Sequence, residues 1–146
     1  MNAAQPIADM HRWPLSAAAG ETRLLREVDH VLRRFGQLST ETLAAGGATP
    51  YTLRAEADRV VFALDGRCQL RLLDLRPQSP SHAVFAQLAL DAATPEGVLV
   101  PFGVACSLAA SDAARVLWLS THSAAHAGDR QASPAELAAH VPAGQR

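Results

Sequence analysis

The sequence predicts an all-β fold, a jelly-roll barrel or sandwich carrying a short C-terminal helix. Three observations support this. From Ser39 onward, short apolar stretches recur with turn signals between them: "YTLRAEADRVVFALDG", "RCQLRLLDLRPQSPSH", "AVFAQLALDAATPEG", "VLVPFGVACSLAASDAA" and "RVLWLSTH". Turn formers stand between them, as Asp65-Gly66, Pro77 with Pro80, Pro95 with Gly97, and Ser111-Asp112. Strand alternation is clearest where Cys68, Leu70 and Leu72 interleave with Gln69, Arg71 and Leu73, a period of two that sends the two sets to opposite faces. Leu73 is the one apolar residue on the polar side.

Two further elements follow from local chemistry. Leu24, Leu25, Val28, Val31, Leu32 and Phe35 recur at helical spacing, with Arg23, Arg26, Glu27, Asp29 and Arg34 on the remaining face, so period alone predicts an amphipathic helix before the strands. Near the C-terminus, Ser133-Pro134-Ala135-Glu136 has the form of a capping box with proline at the first helical position, and Pro142 ends the run. No repeat, linker or low-complexity tract divides the chain. One domain over 1–146 is expected, with its core at about 35–122 and a tail at 123–146.

Composition excludes several classes. With 49% hydrophobic and 18% charged residues the chain is a globular sequence. A net charge of -1, with no cluster of arginine and aromatics, argues against nucleic acid as a partner. The longest apolar window, Val98 to Ala110, is broken by Pro101, Gly103 and Ser107 and is too short for a bilayer of ~30 Å. The start, "MNAAQPIADMHRW", lacks the charged and apolar regions of a secretion signal, so a cytoplasmic protein without membrane contact is expected.

Cys68 and Cys106 lack the spacing of a zinc or redox pair and read as buried free thiols. All 13 basic residues are arginine. Schiff-base chemistry and the P-loop lysine are therefore excluded.

"PFGVAC" resembles the second motif of the cupin superfamily, P-x-G-x-x-H, in which Pro fixes φ, Gly tolerates a tight bend and the residue three later re-enters the barrel facing inward. Cys106 holds the place of the histidine. Counting back from Gly66, the first-motif histidines fall near 52–55 and the acid near 59, where the chain has Thr52, Leu53, Arg54, Ala55 and Arg59. Arginines repel a divalent ion, and one thiol does not hold zinc or iron alone. Neither metal nor other cofactor is expected.

Within the cupins, "FGQLSTETLAAGGATPYTLRAEADRVVFALDG", "CQLRLLDLRPQSPSHAVFAQLAL" and "GVLVPFGVACSL" resemble the dTDP-4-dehydrorhamnose 3,5-epimerase group over about Phe35 to His122. The most specific pieces are Asp74-Leu75-Arg76 with Ser79-Pro80, and Pro101-x-Gly103-x-Ala105. The resemblance implies a metal-free enzyme moving protons beside the ketone of a nucleotide-linked sugar, in polysaccharide or natural-product assembly. It also implies a homodimer, since jelly-roll cupins commonly pair by strand exchange.

That chemistry needs a base, an enolate stabiliser and an acid on the opposite ring face. The group's histidine falls at Thr52 or a neighbour and its tyrosine at or near Trp118, so neither carries over. Tyr51, His82 and Cys106 remain as proton-transfer candidates. Arg54, Arg59 and Arg71 are candidates for an anionic ligand such as a diphosphate, with salt bridges to Glu56, Asp58 or Asp74 as the alternative, and Trp118 for walling the pocket. His122 and His126 read as surface residues.

Three functions follow from the resemblance: an epimerase or keto-isomerase acting on a keto-sugar or related carbonyl compound; a non-catalytic cupin binding a sugar nucleotide or a partner enzyme; and a repurposed cyclase or isomerase of secondary metabolism guided by an apolar cavity.

Overall fold

Turn chemistry and alternation cut the chain into short strands. In the computed structural model, which describes residues 5–146, these are β1 (His11–Pro14), β2 (Ser16–Ala18), β3 (Glu21–Arg23), β4 (Gln37–Leu43), β5 (Thr52–Leu53), β6 (Arg59–Asp65), β7 (Arg67–Asp74), β8 (Phe85–Asp91), β9 (Glu96–Val100), β10 (Val104–Ala109), β11 (Ala114–Ser120) and β12 (Arg130–Gln131), followed by helix α1 (Pro134–His140). The first residues read for a secretion signal, 1–4, lie outside the described residues. One sheet has the order β1-β9-β6-β11-β4 and the other β12-β5-β10-β7-β8, with neighbours antiparallel; β2 and β3 form a separate ribbon. This is the expected all-β jelly roll.

The sheets face each other across one apolar layer, in which Val61, Val98 and Val116 meet Leu70, Leu72 and Leu108. Two glycines make its corners. Gly66, at φ 71°, turns β6 directly into β7, and a Cβ there would lie 2.6 Å from the Ala113 carbonyl oxygen. Gly103, at φ 78°, closes the Pro101 corner before β10, and its amide donates to the Arg54 carbonyl at 2.7 Å. Cys106 then enters the interior, as the motif implies.

Leu73 has a partner of its own. It is fully buried in a second cluster with Tyr51, Leu53, Ala105, Ala132 and Val141, against which Leu137 of α1 packs. The outer face of the second sheet is thus covered by the C-terminal segment, which explains the apolar residue on the polar side of β7. The helix begins as expected: the Glu136 amide donates to Ser133 Oγ at 3.2 Å, and the Ser133 amide to Glu136 Oε2 at 2.7 Å.

The helix expected over 24–35 is not formed. Only a 3₁₀ turn, Glu27–Asp29, occurs there, followed by His30 in the left-handed region. An amphipathic stripe stabilises a helix only when another element covers it. Val28 and Phe35, both 67% exposed, find no cover among the described residues. Among the described residues no helix is long and apolar enough to cross a membrane.

Asp74-Leu75-Arg76 with Ser79 and Ser81 forms a buried polar knot. The Asp74 carboxylate, fully buried, accepts from the Arg76 amide (3.0 Å), Nε (2.9 Å) and Nη2 (2.9 Å), Ser79 Oγ (2.6 Å) and Ser81 Oγ (2.7 Å). Arg76 also reaches the Ala8 carbonyl, and Ser81 Oγ accepts from the Ala8 amide, which ties the N-terminal lead, with buried Ile7, to the barrel.

Candidate functional site

Strand β4 is inside out. Gln37, Ser39 and Glu41 line a cavity while Leu38, on the other face, is 54% exposed. Polar residues at inward positions mark a wet interior rather than a packed core. The cavity, about 290 Å³, is also bounded by Thr52 (β5), Arg59 (β6), Cys106 (β10) and Trp118 (β11), and at its mouth by Arg54, His122, His126 and Asp129.

Arg59 dominates the interior. Its Nη2 donates to the Thr52 carbonyl and to Cys106 Sγ, each at 3.1 Å, and its guanidinium lies 5.3 Å from the Trp118 ring centroid. Its Nε is buried without a partner. No carboxylate pairs with it among the described residues, whereas Arg54 is paired with Asp129 at 3.1 Å and Arg76 with Asp74 at 2.9 Å. Trp118 in turn donates from Nε1 to Glu41 Oε2 at 2.9 Å.

The mouth is held by the loop after β11. Asp129 accepts from the Ala55 amide at 2.8 Å and the His126 amide at 3.0 Å. Burial acts to raise its pKa, but those two amides and Arg54 outweigh it and hold the carboxyl at about 2. His122 sets Nδ1 2.9 Å from Thr121 Oγ1 and Nε2 3.7 Å from Glu56 Oε1. His126 Nδ1 accepts from the Gly128 amide at 2.9 Å. These two histidines, read from sequence as surface residues, border the cavity, and the loop carrying them is not helical.

The donors at the cupin metal positions do not fit a metal. Thr52, Arg54, Arg59 and Cys106 stand there, two of them cations, and no group of three His, Cys, Asp or Glu is arranged to hold an ion among the described residues. Cys106, 3% exposed, is not an activated thiol: burial pushes its pKa up, only partly opposed by Arg59. Burial and, secondarily, Glu41 push Cys68 up to about 11. Both thiols are expected to react with iodoacetamide at pH 8 at least ~100-fold more slowly in the native protein than in urea. Equal rates would show that one of them is an accessible thiolate.

Four of the seven residues singled out from the sequence meet here: Arg54, Arg59, Cys106 and Trp118. Three are placed elsewhere. Tyr51 precedes inward-facing Thr52, so period two turns it outward, where its hydroxyl donates to the Gln145 carbonyl at 2.5 Å. Arg71, between inward Leu70 and Leu72, reaches the same carbonyl at 3.2 Å. His82 lies in the turn after Pro80, its Nδ1 3.1 Å from the Arg76 carbonyl. Glu41 and Asp129 were not singled out; the run of polar residues at alternate positions of β4 is the signal that points to Glu41.

Two antiparallel sheets facing each other around an interior cavity define a jelly roll of the cupin type. More narrowly, the fold is that of the dTDP-sugar epimerases. It matches a dTDP sugar isomerase from Desulfovibrio desulfuricans G20 with a TM-score of 0.79 at 18% identity, over 88% of this chain and 86% of that one. A 3'-monoepimerase double mutant from Streptomyces bikiniensis, in complex with dTDP, matches with a TM-score of 0.80 at 15% identity, over 96% of this chain and 78% of that one. The dTDP-4-dehydrorhamnose 3,5-epimerase of Elizabethkingia anophelis NUHP1 matches with a TM-score of 0.77 at 18% identity, over 88% and 78%. No family model and no curated protein matches the sequence.

Proposed function

We propose that the cavity binds a keto-sugar or related carbonyl compound, free or carried on a nucleotide, and that the protein is an isomerase of the epimerase or keto-isomerase kind working without a metal. Arg59 carries this reading. A guanidinium inside a cavity, over an aromatic ring and without a carboxylate partner among the described residues, is a receptor for a carbonyl oxygen or an anion. The solved structures of similar fold include sugar isomerases and epimerases, one of them holding dTDP. The cavity, slightly below the ~300 Å³ at which small-molecule pockets begin, suits one sugar ring, with any nucleotide lying outside the mouth.

A second reading, a binder without catalysis, is favoured by Thr52, Arg54 and Trp118 standing near the places of the group's histidine and tyrosine. A cavity lined by Glu41, Arg59 and Asp129 is too polar for chemistry guided by apolar shape alone. The test is incubation with dTDP-4-keto-6-deoxyglucose in heavy water, following C3 and C5 by NMR, beside thermal shifts with dTDP. Exchange is the expected result; a thermal shift without exchange makes the protein a binder, and silence in both removes nucleotide sugars. A homodimer is part of the proposal, supported by β4, an edge strand with exposed Leu38, and by exposed Phe35 beside it. A monomeric mass by light scattering would contradict it.

A further inference from the structure

Two charged side chains flank Trp118 in the cavity, one from each neighbouring strand. Glu41 comes from β4 and meets the indole at its Nε1 edge, while Arg59 comes from β6 and lies over its face. Each has one end committed and one end open. Glu41 Oε2 accepts from Trp118, whereas Oε1 has no hydrogen bond among the described residues and is not among the buried polar atoms lacking one. Arg59 Nη2 is committed to Thr52 and Cys106, and Nη1 is open in the same sense. A carboxylate fixed by one oxygen and open at the other has the form of a general base, and the open guanidinium edge has the form of an enolate stabiliser.

The other titratable groups of the cavity are engaged, except that His126 keeps an open Nε2 at the mouth, where the ring, accepting at Nδ1, offers a donor and not a base. His122 faces Thr121 and Glu56 with its two ring nitrogens, His126 Nδ1 accepts from the Gly128 amide, Asp129 holds Arg54, and burial keeps Cys106 a thiol. Building on the function proposed above, we propose that Glu41 is the proton-transfer residue of the site, acting on the carbon beside a ligand carbonyl whose oxygen sits on Arg59 Nη1.

The step balances without a further reactant. Glu41 Oε1 takes the proton, the C–H electron pair becomes a carbon–carbon double bond, and the carbonyl electron pair moves onto the oxygen facing Arg59. The proton returns from Glu41 to the same carbon. In an α-hydroxy ketone it passes instead to the former carbonyl carbon, while the hydroxyl proton moves to the enolate oxygen and a new carbonyl forms where the hydroxyl was. One base working on one face either returns hydrogen to the attacked carbon with its configuration unchanged or shifts it to the neighbouring carbon and leaves a carbonyl behind; in neither case is the attacked carbon inverted.

The test compares wild type, E41Q and E41D in heavy water, with dTDP-4-keto-6-deoxyglucose and the free keto-sugar as probes. Glutamine keeps an acceptor for Trp118 Nε1, so E41Q should retain the wild-type Tm, and E41D keeps the carboxylate should E41Q fail to fold. Expected are deuterium uptake beside the ketone without inversion by wild type, a rate ~100- to 10,000-fold lower in E41Q, and partial recovery in E41D. Uptake by E41Q within about threefold of wild type, or an inverted product, overturns the role of Glu41 while leaving an isomerase in place. No uptake by wild type from either probe overturns both.

Discussion

Asp74→Ala is expected to destabilise the protein by about 3–5 kcal/mol and to lower its Tm by roughly 10–20 °C. The carboxylate is fully buried and receives five hydrogen bonds from Arg76, Ser79 and Ser81. Its removal leaves a guanidinium only 15% exposed, with Asp9 as its remaining ion partner. The loss also releases the N-terminal lead, which is anchored through the same arginine and Ser81.

The pH dependence has a definite sign. Burial acts to raise the Asp74 pKa, but the hydrogen bonds from Arg76, Ser79 and Ser81 outweigh it and hold the group well below the usual carboxylate range. A depressed folded pKa gives stability that is complete above the unfolded value of ~3.9 and is lost as pH falls toward the folded one. Urea midpoints of wild type should therefore fall steeply from pH 5 to pH 2, and those of Asp74→Ala less steeply. Parallel curves would show that the knot does not hold an ionised carboxylate.

Arg59→Met separates function from stability. Its unpartnered buried Nε costs about 1–3 kcal/mol, while stacking over Trp118 contributes about 0.5–2 kcal/mol and the Nη2 hydrogen bond to the Thr52 carbonyl about 1.5–3 kcal/mol, so the net contribution of Arg59 to stability is small and favourable. Methionine fills similar space without a buried donor, and the Tm should fall by no more than a few degrees. A hydrogen bond from a charged donor contributes ~1.5–3 kcal/mol, so ligand affinity, read by calorimetry with dTDP-4-keto-6-deoxyglucose, should fall about 10- to 150-fold. A collapse in Tm with affinity intact would make Arg59 a structural residue.

The parts legible in the sequence are those decided over short range. The Gly66 turn, the Pro101 corner and the Ser133 capping box each depend on a few adjacent residues, and each is formed. The 24–35 segment carries an equally clear period, but a helix needs a surface to cover it, and local pattern does not supply one. The candidate site divides in the same way. Cys106 and Trp118 follow from a motif and its expected strands, and Arg54 and Arg59 from their spacing to Gly66. Glu41 depends on β4 pairing with β11, which brings together residues 77 apart, and Asp129 on Arg54 across 75. Tyr51 and Arg71 lie on the outer face of their sheet, which is sealed by a C-terminal segment whose docking no local pattern announces.

The most direct test is a crystal structure with dTDP-4-keto-6-deoxyglucose bound. A sugar carbonyl oxygen about 3 Å from Arg59 Nη1, with the ring against Trp118 and the nucleotide outside the mouth, is the predicted result. A cavity left empty while the ligand sits elsewhere, or one holding a cation on nitrogen ligands, would contradict the account.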